Sequence, residues 1–297
     1  MTYHLKRKES VGDGVRRIVR QEIGSALARF DDAGASLNES AHEVRKHCKK
    51  IRGALRLIRF SFPDYGNENA RFRDLAQELS AIRDAYVMQA THRKLVRHIS
   101  SDAPESSIAA LNRALESHTD RVLENVAEGL ESVRVGLNVA DGHVDGWSIV
   151  GSEFEVISGG LRDSYRRARK GLRRCRQVID ADNLHGWRKR VKYHWCHMCL
   201  LNNAWPGVIR ARAVAADRLS GVLGDDHDID VYRAFLRGVG DTKAAGAAIA
   251  IQRYGDEQRR SLQNESLVLG MRLFAEKPKR FVERLEVYWN AWRRQNR

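Results

Sequence analysis

Residues 42–59 read His-Glu-Val-Arg-Lys-His-Cys-Lys-Lys-Ile-Arg-Gly-Ala-Leu-Arg-Leu-Ile-Arg, a spacing typical of an amphipathic α-helix. At about 100° per residue, one stripe of this helix is apolar and can face a core: Val44, Cys48, Ile51, Leu55 and Ile58. A second stripe, roughly 120° round by the same geometry, is cationic: His42, Arg45, Lys49, Arg52 and Arg56. The stretch therefore predicts a helix with one buried face and one basic face.

The rest of the chain is also predicted to be helical. Only four of its 297 residues are proline, against about 5% on average. No sustained two-residue alternation bounded by turn pairs indicates strands, so the predicted fold class is all-α. Clusters of Gly, Pro, Asn and Asp predict breaks between helices at residues 62–67, 100–107, 141–147, 180–183, 202–207, 238–241 and 277–278.

The positive charge is concentrated in two blocks. The chain has a formal net charge of +14, of which residues 42–59 contribute +6 and residues 162–192 contribute +9. The remaining residues together carry about −1. This distribution excludes a cationic tail or a uniformly basic coat and indicates two local sites for an anionic partner.

An internal repeat relates the two blocks. The residues His42, Arg45, Lys46 and Lys49 recur at an offset of 143 as His185, Arg188, Lys189 and Lys192. Arg83-Asp84-Ala85-Tyr86-Val87 recurs at an offset of 144 as His227-Asp228-Ile229-Asp230-Val231. Gly14-Val15-Arg16 with Arg20 recurs at an offset of 146 as Gly160-Leu161-Arg162 with Arg166. Three matches in one order predict two similar helical halves, about residues 10–150 and 151–297.

Two further basic stripes lie in the second half. His185, Arg188, Lys189 and Lys192 share one face of a predicted helix, opposite the apolar residues Trp187, Val191, Met198 and Leu201. The preceding helix carries a stripe spaced alternately by four and three residues: Arg162, Arg166, Arg169, Arg173 and Arg176. Like charges at this spacing destabilise a helix by a few tenths of a kcal/mol per pair. The stripes are either solvated faces with extended side-chain stems or binding surfaces for a long polyanion, and the duplication favours the polyanion.

The two basic blocks and their companions resemble the CHAD family, the conserved-histidine α-helical domain. The resemblance covers residues 10–295 and includes Leu161–Lys170 as well as a second motif at Leu79–Ala85 and Leu223–Asp230. It implies a single domain, residues 10–297, made of two antiparallel four-helix bundles related by a pseudo-two-fold axis. It also implies that the domain binds inorganic polyphosphate, without catalysis, in a basic central groove or pore.

The resemblance also implies which residues line that groove. By motif these are His42, Arg45, Lys46, Lys49, His185, Arg188, Lys189 and Lys192, with Arg16, Arg20, Arg162 and Arg166 as neighbours. The cationic stripes add Arg52, Arg56, Arg169 and Arg173. The chain departs from the family pattern at Tyr86, where the family often has an acid, and this weakens a charge role for the first copy of the second motif.

Two sequence motifs suggest enzymatic alternatives to this hypothesis. His227-Asp228 suggests an HD-type phosphohydrolase, but the matching first-half position is Arg83, and arginine is not a metal ligand. A structural role for Asp84 and Asp228 is favoured, either capping a helix or pairing with a basic helix. The string Glu153–Ile157 has Ile157 where a triphosphate-tunnel enzyme has lysine. We therefore expect no catalytic residues and no cofactor.

Cys196-His197-Met198-Cys199 with His194 suggests a zinc site. A structural zinc site usually needs a second ligand pair, and Cys48 and Cys175 are isolated in the sequence. Packing against a helical core is the favoured interpretation of Met198 and Cys199.

Nucleic acid is the main alternative partner, because any basic groove attracts a phosphate backbone. Single-strand binders usually place aromatic side chains among the cations to stack bases. Few aromatic residues accompany the basic stripes: Tyr165, Trp187, Tyr193 and Trp195. This scarcity favours a polyanion without bases.

The sequence predicts a cytoplasmic location. No apolar run approaches the roughly 18 residues of a membrane span, and the start, Met1–Lys8, is not followed by a hydrophobic stretch. The four cysteines form no disulfide framework, which suits a reducing compartment. The resemblance adds association with polyphosphate granules as an expectation, whereas protein partners are not predicted.

Overall fold

Helix α2, Leu37–Leu57, contains the basic stretch and begins at a capping box on Ser36. The Ser36 hydroxyl accepts a hydrogen bond from the Glu39 amide at 3.3 Å, and the Glu39 carboxylate accepts one from the Ser36 amide at 2.9 Å. Together these bonds satisfy two of the amides that a helix start leaves unpaired. The predicted apolar stripe, Val44 to Ile58, is 0% exposed, so the predicted amphipathic helix is confirmed.

The computed structural model describes residues 3–32, 34–99, 103–124 and 126–295. These residues form no strand, which confirms the all-α prediction. Short 3₁₀ turns occur at Val144–Gly146, Asn202–Ala204 and Thr242–Ala244. Besides α2, the α-helices of the described residues are α1 Val11–Leu27, α3 Tyr65–Glu78, α4 Ser80–Ile99, α5 Glu105–Leu123, α6 Val126–His143, α7 Glu155–Gln177, α8 Ala181–Leu200, α9 Pro206–Gly238, α10 Ala245–Leu273 and α11 Pro278–Arg294.

The predicted breaks differ in detail from the helix ends. The break at 180–183 is wrong beyond Asp180, because the Asp180 carboxylate accepts a hydrogen bond from the Asn183 amide at 2.7 Å and so starts α8. Residues 100–102 of the predicted break at 100–107 lie outside the described residues. The division between α3 and α4 at Leu79 was not predicted.

The order of the helices parallels the predicted repeat. The motif beginning at His42 lies near the start of α2, and its copy at His185 lies near the start of α8. The preceding copies at Gly14 and Gly160 lie in α1 and α7. The later copies at Arg83 and His227 lie in α4 and in the long α9, which corresponds to α3 and α4 joined end to end. The two four-helix bundles and their pseudo-two-fold axis stay a prediction.

Two apolar clusters hold the helices together, and each takes residues from both predicted halves. The larger cluster joins the inner faces of α1, α2, α3 and α6 to those of α7, α8, α11 and the first part of α9. The smaller cluster joins α4 and α5 to the second part of α9 and the start of α10. Within the described residues, no helix has both the length and the apolar character needed to cross a bilayer.

The contact between α2 and α8 positions the two basic stripes relative to each other. A Cβ atom built on Gly53 would lie 2.6 Å from the Cβ of Cys196, so the helices approach closely where Gly53 lacks a side chain. The His197 ring donates from Nε2 to the Gly53 carbonyl at 3.1 Å. Gly53 and Cys196 are separated by 143 residues, the offset of the repeated basic motif. Equivalent points of the two copies therefore meet at this contact.

Candidate functional site

The basic stripe of α2 is held in place by contacts with uncharged groups. The Arg45 guanidinium donates to the Ala76 carbonyl at 2.8 Å, and Arg52 Nε donates to the side-chain oxygen of Asn69 at 3.4 Å. Both acceptors are neutral oxygens on α3. The Arg56 guanidinium lies over the Tyr193 ring of α8, 4.2 Å from its centroid, in a cation–π contact.

Lys49 lies where the basic stripes of α2 and α8 come together. Its side chain is exposed to solvent, but protein surrounds it on several sides. Desolvation by this surrounding protein, followed by repulsion from Arg45, Arg188 and Lys192, lowers the pKa of Lys49 to about 8. The electrostatic field of the two stripes is therefore shared, and we call their residues the α2–α8 basic surface: His42, Arg45, Lys49, Arg52, Arg56, His185, Arg188 and Lys192.

The α8 stripe takes its position from α9. A Cβ built on Gly224 would lie 3.0 Å from the Arg188 guanidinium, so the absence of a side chain at Gly224 makes room for that arginine. The Lys192 ammonium pairs with Asp217 at 3.1 Å and lies 4.0 Å from the centroid of the Trp195 ring. Lys189 is exposed on the same face of α8.

Each predicted histidine has a partner from the second repeated motif. The His185 ring stacks on His227 with centroids 4.1 Å apart, and burial together with His227 and nearby cations lowers the pKa of His185 to about 4. Burial and then Arg83 lower the pKa of His42. Arg83 and His227 are equivalent residues of the repeat, so neighbours at matching positions help to lower the pKa of both histidines.

The repeated aspartates accompany the basic helices rather than cap a helix. Asp84 and Asp228 lie inside α4 and α9, so the capping role considered from the sequence is wrong. Asp84 acts electrostatically on Arg45, and Asp228 acts on Arg188. Burial raises the pKa of Asp228 although Arg188 and His227 oppose the shift. Neither carboxylate lies within ion-pair distance of a basic side chain in the described residues, so the pairing role considered from the sequence stays a prediction.

A small arginine-rich pocket continues the site beyond the C-terminal end of α2. The buried Asp163 carboxylate accepts hydrogen bonds from Arg59 at 2.6 Å, Arg166 at 2.6 Å and Arg167 at 2.7 Å. Burial would raise the pKa of this carboxyl, but the three arginines lower it. The pocket is lined by Arg56, Arg59, Asp163, Ser164, Arg167, Arg190 and Tyr193. Arg190 makes no hydrogen bond or ion pair in the described part of the chain.

Of the residues that line this pocket, Arg56 was a candidate from the sequence, whereas six were not: Arg59, Asp163, Ser164, Arg167, Arg190 and Tyr193. Arg167, Arg190 and Tyr193 lie outside the cationic stripes that defined the candidates on α7 and α8. The two arginines contributed to the charge within residues 162–192, but a helical wheel does not show that α7 and α8 turn these positions toward the end of α2.

The remaining predicted residues lie farther from this surface or have acidic partners. Lys46 pairs with Glu43 at 2.9 Å. On α1, Arg16 donates to the Trp147 carbonyl at 2.9 Å and Arg20 pairs with Asp145. On α7, Arg166 reaches the pocket through Asp163, and Arg169 donates to the Phe274 carbonyl at 3.1 Å. Arg162 and Arg173 are exposed and, among the described residues, make no hydrogen bond or ion pair. Binding by these residues stays a prediction.

The Cys and His residues that suggested a metal site make separate contacts in the structure. His197 bonds to Gly53, Cys196 packs against Gly53, and His194 accepts from Arg212 Nε at 3.1 Å. Burial raises the pKa of the Cys196 thiol to about 12. Over the described ranges, no three His, Cys, Asp or Glu side chains are grouped as a metal site requires. The favoured packing role is confirmed for Met198, which is 0% exposed, and Cys199 is half-buried against the larger apolar cluster.

Comparisons with known proteins place this architecture in a family. Among solved structures, the chain is similar to PptA from Streptomyces chartreusis, with a TM-score of 0.65 and 12% identity, covering 90% of this chain and all of that one. At this identity the likeness concerns the fold. No curated protein matches the chain. The family model for the CHAD domain matches residues 17–237, which contain both α2 and α8, and the chain therefore belongs to the CHAD domain family.

Proposed function

We propose that this protein binds inorganic polyphosphate on the α2–α8 basic surface without catalysing a reaction. Membership of the CHAD family supports a polyphosphate-related function. The observation that carries the proposal is the meeting of two basic stripes around Lys49, with Arg45 and Arg52 anchored by neutral oxygens. Fixed guanidinium groups suit phosphate oxygens because they donate in a planar, bidentate geometry.

The extent of the surface favours a long anion over a short one. From Arg45 to Arg56 the α2 stripe runs 11 residues, about 16 Å at 1.5 Å per residue. The Arg56 end opens toward the arginine-rich pocket, where Arg190 forms no ion pair with any described residue. Pyrophosphate can occupy only part of such a row, whereas a chain of phosphates can contact all of it.

The aromatic residues beside the cations argue against nucleic acid. Tyr165 and Trp187 are buried at 0% exposure, so neither is available for stacking on a base. The Tyr193 ring is covered by Arg56 and the Trp195 ring by Lys192. A single-stranded nucleic acid would thus bind through its phosphates alone, without the stacking contribution of about 1–3 kcal/mol per base.

A competition titration tests the proposal. Long-chain polyphosphate and single-stranded RNA of matched charge are titrated into the protein across a salt series, with binding measured by fluorescence anisotropy. We expect polyphosphate to bind at least tenfold more tightly than RNA and than pyrophosphate at each salt concentration. Equal affinity for RNA and polyphosphate would contradict the proposal.

Paired charge-removal variants locate the site. Arg45→Ala with Arg188→Ala should weaken polyphosphate binding by at least tenfold, because one group from each basic stripe acts electrostatically on Lys49. Arg121→Ala with Arg237→Ala removes the same charge from exposed positions on α5 and α9 and serves as the control. Equal losses in both variants would indicate attraction by net charge and not by this surface.

The non-catalytic part of the proposal has a separate test. The protein is incubated with polyphosphate and with magnesium, manganese or zinc, and released phosphate is measured. We expect no turnover. Release of phosphate that disappears in Asp228→Asn would support a phosphohydrolase instead.

A further inference from the structure

The lysines of the basic helices differ in whether a carboxylate neutralises them. Three are paired: Lys46 with Glu43 at 2.9 Å, Lys50 with Glu22 at 3.0 Å and Lys192 with Asp217 at 3.1 Å. Lys49 is exposed and, within the described residues, makes no hydrogen bond or ion pair. Its amine is therefore accessible and forms no ion pair with a carboxylate of the described residues.

Cations outnumber acids around Lys49. The charged and titratable groups acting on it are His42, Arg45 and the buried Cys48 thiol on its own helix, His185, Arg188 and Lys192 on α8, and Asp84 on α4. Desolvation and the nearby cations lower the pKa of Lys49 to about 8, so about a tenth of it is the neutral amine at pH 7.

These surroundings have two chemical consequences. The neutral amine is more populated than in an ordinary lysine, because repulsion from the cations destabilises the ammonium. The neutral amine is the form that acts as a nucleophile. The same cations attract anions and raise their local concentration. We propose that Lys49 is a site of acylation by small acyl phosphates, with Arg45 and Arg188 holding the phosphate group while the acyl carbon meets the amine.

The proposed reaction needs no further reagent. The lone pair of Lys49 Nζ attacks the carbonyl carbon of the acyl phosphate, and a C–N bond forms. The bond from that carbon to the bridging oxygen breaks, and its electron pair leaves with the phosphate. The nitrogen releases one proton, which the departing phosphate accepts. The products are an uncharged acyl-lysine and inorganic phosphate.

The test treats the full chain with acetyl phosphate at pH 7.5 in the absence of polyphosphate. Mass spectrometry measures the initial acetylation rate of each lysine. We expect Lys49 to react at least tenfold faster than Lys46, which is exposed on the same helix but paired, and than Lys189, which is exposed on α8. A Lys49 rate no higher than these two would overturn the proposal.

Two further measurements distinguish the intrinsic reactivity of the Lys49 amine from the contribution of the arginines that bind the phosphate group. With p-nitrophenyl acetate, a neutral donor, the preference for Lys49 should persist but fall several-fold, and an undiminished preference would contradict the role of the arginines. Arg188→Gln should slow acetylation of Lys49 by acetyl phosphate at least threefold and leave Lys46 unchanged, with circular dichroism confirming native helix content. An unchanged Lys49 rate in this folded variant would also count against the proposal.

The outcome does not depend on the proposed function, because these rates are measured without polyphosphate. If polyphosphate does bind this surface, adding it should slow acetylation of Lys49 and not of Lys46. Fast acetylation without such protection would support the modification site and count against polyphosphate binding at Lys49. Acylated Lys49 has lost its charge, so modification would weaken polyanion binding.

Discussion

At the scale of single residues, Lys49 links the structure to a measurable pH response. Its pKa in the free protein is about 8, below the ordinary lysine value, mainly through desolvation and then through neighbouring cations. A bound polyanion stabilises the ammonium and raises that pKa. The contribution of Lys49 to polyanion affinity is therefore fully present below its pKa in the free protein. It is lost as pH rises through its higher pKa in the complex.

Polyphosphate affinity should accordingly fall between pH 8 and pH 10, by about tenfold for a pKa change of one unit. Lys49→Arg keeps its charge throughout this range and should remove most of the fall, whereas Lys46→Arg should not. Anisotropy titrations at fixed ionic strength measure the effect. The same fall in wild type and Lys49→Arg would show that Lys49 does not contribute.

The two histidines control the acidic side of the pH profile. A histidine of ordinary pKa would tighten polyanion binding as pH drops through about 6–7. Because burial and its neighbours lower the pKa of His185 to about 4 in the free protein, the tightening should extend well below that range. A bound phosphate group raises the pKa of the histidine. The affinity contributed by protonating that histidine therefore grows as pH falls from its pKa in the complex toward 4.

We therefore expect polyphosphate affinity to rise continuously from pH 7 to pH 5, without a plateau near pH 6. The double variant His42→Ala with His185→Ala should lose most of this rise. His98→Ala with His118→Ala, on α4 and α5, is the control. If the histidine double variant shows the same pH dependence of affinity as the wild type, His42 and His185 are not the source of the rise.

At the scale of the helices, close approach at glycines brings the basic stripes together. A Cβ on Gly160 of α7 would lie 2.0 Å from the Leu57 carbonyl oxygen and 2.4 Å from the Arg56 carbonyl oxygen. Both are backbone atoms of α2, so no side-chain movement relieves the contact. The helices have to separate when a side chain is added there.

Gly160→Ala should lower the free energy of unfolding by about 1–3 kcal/mol or more, as overpacking does. Gly186→Ala on α8 has nothing within 4 Å of the new Cβ and should raise it by about 0.5–1 kcal/mol through helix propensity. Urea unfolding followed by circular dichroism measures both. A neutral Gly160→Ala would mean that α2 and α7 are not held this closely.

At the scale of the whole molecule, the two predicted halves share their hydrophobic core. The inner faces of α2 and α8 belong to one apolar cluster, and α4 and α5 are covered by α9 and α10. A repeat can therefore be read from the sequence without either copy being a folding unit. Separating the halves would expose both clusters to water.

Residues 1–150 produced alone should lack a cooperative unfolding transition. Loss of the second half removes the apolar surface that buries α2, α4 and α5. The free energy of unfolding of a protein is small, so this loss should leave the fragment without a stable fold. Urea titration with circular dichroism is the measurement, and full-length protein is the control. A sharp transition for residues 1–150 would show that the first half folds independently.

Much of the fold and part of the site could be predicted from periodicity. The burial of Val44 and Ile51 follows from their spacing, because residues three or four apart share a helix face. The same rule identified Arg45, Lys49 and Arg188 as candidates. Spacing alone could not distinguish these three residues from Arg162 and Arg173 on α7. Those two arginines have similar spacing but are not among the main charged groups that act on Lys49.

The sequence by itself determined the helical class, the buried face of each basic helix and the duplication of its histidine and cations, because these depend on local spacing. Only the tertiary structure decided which cations share one electrostatic field. The meeting of α2 with α8 at Gly53 and Cys196 brings Lys49 to Arg188, and Asp163 draws Arg59 and Arg167 together at the end of α2. Coulombic interaction depends on distance through space, and helix packing sets that distance.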